Sequence, residues 1–209
     1  MFPTNNNSQP SNLIFFDLET TGLNQYHDRV TEIAMIRENF NSQQAQQEFV
    51  TLVNPEKNIT PFITRITGIS NEMVLYSPKF KEVIPNILSF VSQNSNTPYL
   101  IAHNCDGFDK LVLRIHFKKG GINLNDYPWK YIDTLLMAKQ LYPYFNKHNL
   151  KSLMEQLGLP VEDAHRAKND TVMMRNLYHR MCKDLAKLKK LKAEYVLNNP
   201  KFVWNYINN

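Results

Sequence analysis

Two acids one residue apart close an apolar run, Leu13-Ile14-Phe15-Phe16-Asp17-Leu18-Glu19, just before Thr20-Thr21-Gly22. Strand side chains alternate between faces, so Asp17 and Glu19 project together while Leu18 points the other way. Two carboxylates held that close to a core repel each other and lose solvation, which raises a carboxylate pKa. A divalent cation with oxygen ligands turns the same arrangement into a stable site. The pair therefore reads as half of a metal site. Two further acids stand on stripes that are otherwise apolar. Asp109 shares a helical face with Val112, Leu113 and His116, and Asp170 leads Met173, Met174, Leu177 and Met181. An acid on an inward face must be paired, hydrogen-bonded or metal-bound. Singly, each of the four reads equally as a salt-bridged structural acid, with Arg29, Arg114, Arg166 and Arg175 as partners. Asp106 reads as a helix-capping acid. His165 precedes Asp170 by five residues, which takes it off the Asp170 face and onto the turn before the helix. An imidazole there, with its ordinary pKa of about 6.5, suits a general base.

The elements that must position these residues follow from periodicity. The run ending in Asp17 and Glu19 is a short strand buried on both faces. Thr31 to Ile36 and Glu48 to Val53 are two more strands, making an antiparallel meander with the second at a sheet edge, where a homodimer could pair. Residues 54–76 read as loop, with a short helix capped by Ser70. Val83, Ile84, Ile87, Leu88 and Val91 mark one face of a helix over residues 81–92, with Pro85 near its first turn. Pro98 to Ala102 and Tyr131 to Asp133 are strands. Residues 135–141, 150–157 and 170–197 are helices, the second stopped by Gly158 and Pro160. The order of elements predicts an α/β fold with a mixed central sheet flanked by helices. Residues 1–12 read as a disordered polar tail and 13–209 as a single domain with a C-terminal helix and tail.

The chain of 209 residues carries a formal charge of +5 and two cysteines, with a pI of about 9.1. A basic balance is compatible with a polyanionic partner, and two distant cysteines, Cys105 and Cys182, offer neither a disulfide framework nor a zinc site. No apolar run approaches the ~20 residues of a membrane span, and the N-terminus lacks a signal-peptide pattern. The expectation is a soluble, intracellular, cytoplasmic protein with no membrane partner.

With its acids, histidine and their order in view, the chain resembles the DEDDh 3′-to-5′ exonucleases, the DnaQ-like group of the ribonuclease H-like fold. The resemblance rests on Phe16-Asp17-Leu18-Glu19-Thr20-Thr21-Gly22-Leu23, on Ala102-His103-Asn104 with Phe108-Asp109, and on His165-Arg166-Ala167-Lys168-Asn169-Asp170. The three residues between His103-Asn104 and Phe108-Asp109 are similar to the spacing of TREX-type three-prime repair exonucleases. The resemblance implies metal-dependent hydrolysis of DNA from the 3′ end to nucleoside 5′-monophosphates, with single strands preferred over the 3′ ends of duplex DNA. It implies two Mg²⁺ ions, with Mn²⁺ able to substitute, held by Asp17, Glu19, Asp109 and Asp170, and His165 as general base. It further implies that backbone at Leu18 and Thr20 meets the terminal 3′-hydroxyl, that Leu23 and Ile66 wedge terminal bases, and that Phe108 touches a base. His103 joins these substrate contacts, although a lone histidine there reads equally as a hydrogen-bonded core residue. The alternatives are a 3′-to-5′ exoribonuclease of the same fold and an inactive nucleic-acid-binding module. A monomer and a homodimer are both open.

Overall fold

The computed structural model describes residues 12–38, 46–93, 96–162 and 166–208. His165, read above as the general base, and the tail over residues 1–11 lie outside the described residues. Asn12 does not belong to a tail: it opens the first strand, is buried, and donates its side-chain amide to the carbonyls of Val91 and Asn96.

Five strands, β1 (Asn12–Thr20), β2 (Val30–Glu38), β3 (Gln47–Leu52), β4 (Pro98–Ala102) and β5 (Lys130–Asp133), form one mixed sheet in the order β3-β2-β1-β4-β5. The expected meander is present, with β2 antiparallel to both β1 and β3. Strand β3 is an edge strand. On the other side of β1, β4 and β5 run parallel to it. Leu13, Ile14, Phe15 and Phe16 are all fully buried, as a central strand covered on both faces requires. Pairing between β1 and β4 ends at Phe15 with Ile101, so β1 runs on to Thr20 beyond its parallel neighbour. That overhang carries Asp17 and Glu19.

The helices are α1 (Pro61–Thr67), α2 (Asn71–Val74), α3 (Phe80–Val91), α4 (Asp109–Lys119), α5 (Thr134–Leu141), α6 (Leu150–Gln156), α7 (Ala167–Leu188), α8 (Ala193–Leu197) and α9 (Pro200–Asn208). Helix α7 packs on β1 and β2 and buries Met173, Met174, Leu177, Tyr178 and Met181. Each such side chain contributes about 1.5–3 kcal/mol of burial. Phe15 meets Tyr178 edge to face with ring centroids 5.5 Å apart. Phe15, Asp17 and Glu19 share a strand face, so the helix that covers Phe15 also brings its N-terminal turn, with Asp170, over the two acids.

Four further expectations need correction. Asp106 does not cap α4: it is exposed and pairs with Lys110 at 2.6 Å, while Phe108 is the cap residue and supplies no side-chain bond. Residues 170–197 are not one helix. Helix α7 ends at Leu188, Lys190 adopts a left-handed φ of 55°, and the Leu191 amide returns to the Ala186 carbonyl at 2.8 Å, a Schellman-type stop built on lysine instead of glycine. Pro85 lies inside α3 because that helix starts at Phe80. Helix α1, read as loop, is capped by the Thr60 hydroxyl, which accepts from the Ile63 amide, begins with Pro61, and ends at Gly68 in the left-handed region at φ 71°.

Candidate active site

The overhang of β1 and the first turn of α7 bring Asp17, Glu19 and Asp170 together. One carboxylate oxygen from each lies within 4.8 Å of the others, and all three residues are partly exposed. Burial pushes the Asp17 carboxyl well above its usual range, and the neighbouring charges of Asp109, Glu19 and Asp170 push it further. Burial, with Asp170, Glu32 and Asp109 beside it, raises Glu19 to about 8. Two charged carboxylates no more than 4.8 Å apart repel by at least about 3.5 kcal/mol at an effective dielectric of about 20. Arg166 draws Glu19 down, but its guanidinium is committed to Glu32, with Nη2 to Oε1 at 2.7 Å and Nε to Oε2 at 3.3 Å. A cluster of hard oxygen donors with unrelieved repulsion and an open side fits a divalent cation.

Asp109 joins from the start of α4, where it is buried. Burial raises it to about 8, with the charge of Asp133 adding to the rise and the nearby backbone amides of Asp109 and Leu18 opposing it. Asp109 is the neighbouring charge that raises Asp17 most.

Two acids outside the expected metal-ligand set hold this arrangement in place. Glu32 pairs across the sheet with Glu19 and is 2% exposed. Besides its two bonds to Arg166, it accepts from the Ala167 amide at 3.0 Å, so one carboxylate clamps the first residues of α7 onto β2. Asp133, at the end of β5, accepts from the amides of Asn104 at 3.0 Å, Asp106 at 3.1 Å and Leu135 at 2.8 Å. It fixes the turn after β4, including Asn104 at a left-handed φ of 63°, and so sets where α4 begins. The signal for Glu32 was present: it is an acid within the apolar run of β2.

The remaining residues divide into those facing outward and those engaged internally. Leu23 is 86% exposed and Ile66 39% exposed. Leu23 rides on a loop closed by the Thr21 amide to the Arg29 carbonyl at 2.8 Å. Within that loop Asp28 accepts from the Thr21 hydroxyl, the Asn24 amide and Lys57. Phe108 is half-buried against the core. Leu18 and Thr20 are buried, with the Thr20 hydroxyl donating to the Gly22 carbonyl at 2.6 Å. His103 has both ring nitrogens engaged inside the protein, Nδ1 with the Thr134 hydroxyl at 3.0 Å and Nε2 with the His148 carbonyl at 2.9 Å. Burial lowers its pKa. The neutral ring thus accepts at Nδ1 and donates at Nε2, which leaves no ring nitrogen for a substrate. Cys105 and Cys182 are free and buried.

Fold and site together define a carboxylate cluster that fits a divalent cation at the end of a mixed α/β sheet. Residues 14–178 match the family model described as RNase_T exonuclease, and the chain belongs to that family, as its DnaQ-like motifs imply. The DNA polymerase III ε subunit of Treponema pallidum (strain Nichols) is 31% identical over 177 residues, covering 82% of this chain and 77% of that one. The PolC-type DNA polymerase III of Caldanaerobacter subterraneus subsp. tengcongensis is 30% identical over 175 residues, which cover 84% of this chain but only 12% of that relative. Among solved structures, exonuclease X in complex with 5′ overhanging duplex DNA is 26% identical with a TM-score of 0.62, covering 87% of this chain and 95% of that one. Exonuclease I superposes with a TM-score of 0.72 at 19% identity over 94% of this chain and 43% of that one, a likeness of fold. These neighbours share the ribonuclease H-like architecture. Among the described residues no helix is long and apolar enough to cross a membrane.

Proposed function

We propose that the chain is a metal-dependent 3′-to-5′ exodeoxyribonuclease that removes nucleoside 5′-monophosphates from DNA, single strands preferred. The observation that carries this reading is the meeting of Asp17, Glu19 and Asp170 within 4.8 Å, with Asp109 buried at the start of α4 and close enough to raise Asp17. A phosphodiester is anionic, so a site of bare carboxylates would repel it. Two Mg²⁺ ions bound there, with Mn²⁺ as substitute, would supply Lewis-acid polarisation of the phosphodiester and neutralise charge in an in-line displacement. Asp17, Glu19 and Asp170 hold that charge in place, and Asp109 closes the cluster from α4. His165 accepts the proton of the attacking water as general base. Leu23 and Ile66, exposed on separate elements, flank the terminal bases, Phe108 contacts a base, and backbone at Leu18 and Thr20 meets the terminal sugar. Single strands suit this site because terminal bases reach between two apolar prongs only when unpaired. The formal charge of +5 favours a polyanionic substrate. The three-residue spacer Cys105-Asp106-Gly107 supports a TREX-type branch.

The test is digestion of matched 5′-labelled DNA and RNA strands with Mg²⁺ or EDTA, comparing the native protein with Asp17→Asn and His165→Ala. A metal-dependent ladder shortening from the 3′ end of DNA, lost in both variants, is expected. Faster shortening of RNA would move the assignment to an exoribonuclease.

A further inference from the structure

A second feature begins one residue beyond Asp109. A cleft of about 320 Å³ has Lys110, Arg114, Trp129, Lys130, Tyr131 and Trp204 among its walls. Cations already lie on its rings: the Lys110 ammonium is 5.2 Å from the Tyr131 centroid and the Lys130 ammonium 4.9 Å from that of Trp204. Three cations there face one lining carboxylate, Asp106, which bonds Lys110 at 2.6 Å. Arg114 stands one turn after Lys110, about 6 Å along α4, exposed and without a hydrogen bond or ion pair among the described residues. The catalytic rim is adjacent: the Asp106 amide is held by Asp133 in the turn that leads to Asp109.

Surplus positive charge and ring faces match a ligand that alternates anionic groups with flat rings. We propose that this cleft binds internal nucleotides of the strand whose 3′ end lies at Asp17, Glu19 and Asp170. Arg114 and Lys130 take phosphates, and the half-buried Trp204 indole takes a base. The proposal rests on the exonuclease reading above and adds a binding surface that family membership does not supply. An acidic peptide would satisfy the cations but leave the rings unused.

The test exploits composition. The chain has two tryptophans, and both line this cleft. Titration with oligothymidylate in EDTA, long enough to fill a single-strand site of about 4–16 nucleotides, should quench tryptophan emission saturably. Arg114→Glu with Lys130→Glu should weaken binding at least about tenfold and reduce its salt dependence. Arg114→Ala alone should weaken it less. Both positions are exposed, and matching melting curves check the fold. Asp17→Asn should keep the quench, which separates the cleft from the metal site. Polyglutamate should not quench. Unchanged affinity in the double variant, no quench in a native protein that degrades DNA, or equal quench by polyglutamate would each overturn the proposal. Quench by a native protein that degrades nothing would keep the cleft and sink the exonuclease reading instead.

Discussion

Asp17 sits where a single substitution separates stability from function. Burial and four neighbouring carboxylates push its charged form up in free energy, so Asp17→Asn removes repulsion along with a metal ligand. The metal-free variant should gain about 1–2 kcal/mol, roughly 2–6 °C in melting temperature. It should lose about a thousandfold in nuclease rate, and calorimetry beside a nuclease assay checks both. His116 makes a prediction of opposite character. Its Nδ1 donates to the Val112 carbonyl at 2.9 Å and its Nε2 accepts from the Val30 amide at 3.4 Å, so the folded state requires the neutral ring. Burial lowers its pKa to about 4, with Lys119 and Arg29 adding repulsion. Because the unfolded chain takes up the proton first, stability holds above about pH 6.5 and falls as pH drops toward 4, by up to about 3 kcal/mol. His116→Gln should flatten that slope in urea titrations at stepped pH, and a parallel slope in the variant would contradict this account. The four acids were legible because each breaks an apolar pattern. Glu32 breaks one too, but a strand acid with no partner in sequence gives no hint that Arg166, far along the chain, will meet it. His103 was half legible: its place was clear, but its partners Thr134 and His148 arise only from tertiary packing.

At the scale of elements, α7 is aimed by its first turn. Glu32 takes Arg166 and the Ala167 amide together, so removing it leaves both the guanidinium and a helix-end amide without their acceptor. Glu32→Ala should cost about 3 kcal/mol and lower activity through displaced Asp170. Titration of metal by calorimetry should show weakened affinity, whereas a purely global loss of stability would leave affinity unchanged at low temperature. At the other end of α7, Lys190 holds a left-handed conformation that disfavours any side chain. Lys190→Gly should therefore stabilise by about 1 kcal/mol, read as a shifted urea midpoint with unchanged slope. Sequence periodicity placed the strands within a residue or two because each combines alternating or continuous apolar runs with clear breaks. It ran 170–197 together because a stop that uses lysine carries no glycine signal. It passed over α1 because seven residues are too few to show a period, although Thr60-Pro61 and Gly68 were there as caps.

For the whole molecule, the topology places the chemistry. Antiparallel β2 and β3 on one side and parallel β4 and β5 on the other leave β1 as the junction, and its overhang past β4 is where α4, α7 and β2 deliver acids. Such a convergence is invisible in local sequence, where the motifs lie up to about 150 residues apart, and only the order of three motifs made it readable. The basic cleft beside α4 lies outside that reading altogether, since Lys110, Arg114, Trp129 and Trp204 share no spacing that marks a site. The central claim is that this junction is a metal-dependent exonuclease centre. The measurement that tests it most directly is the fate of a 5′-labelled DNA strand incubated with native protein in Mg²⁺, with EDTA and Asp17→Asn as controls. Stepwise shortening from the 3′ end, absent in both controls, is the expected result. An intact strand in the presence of folded, Mg²⁺-supplied native protein would contradict the account.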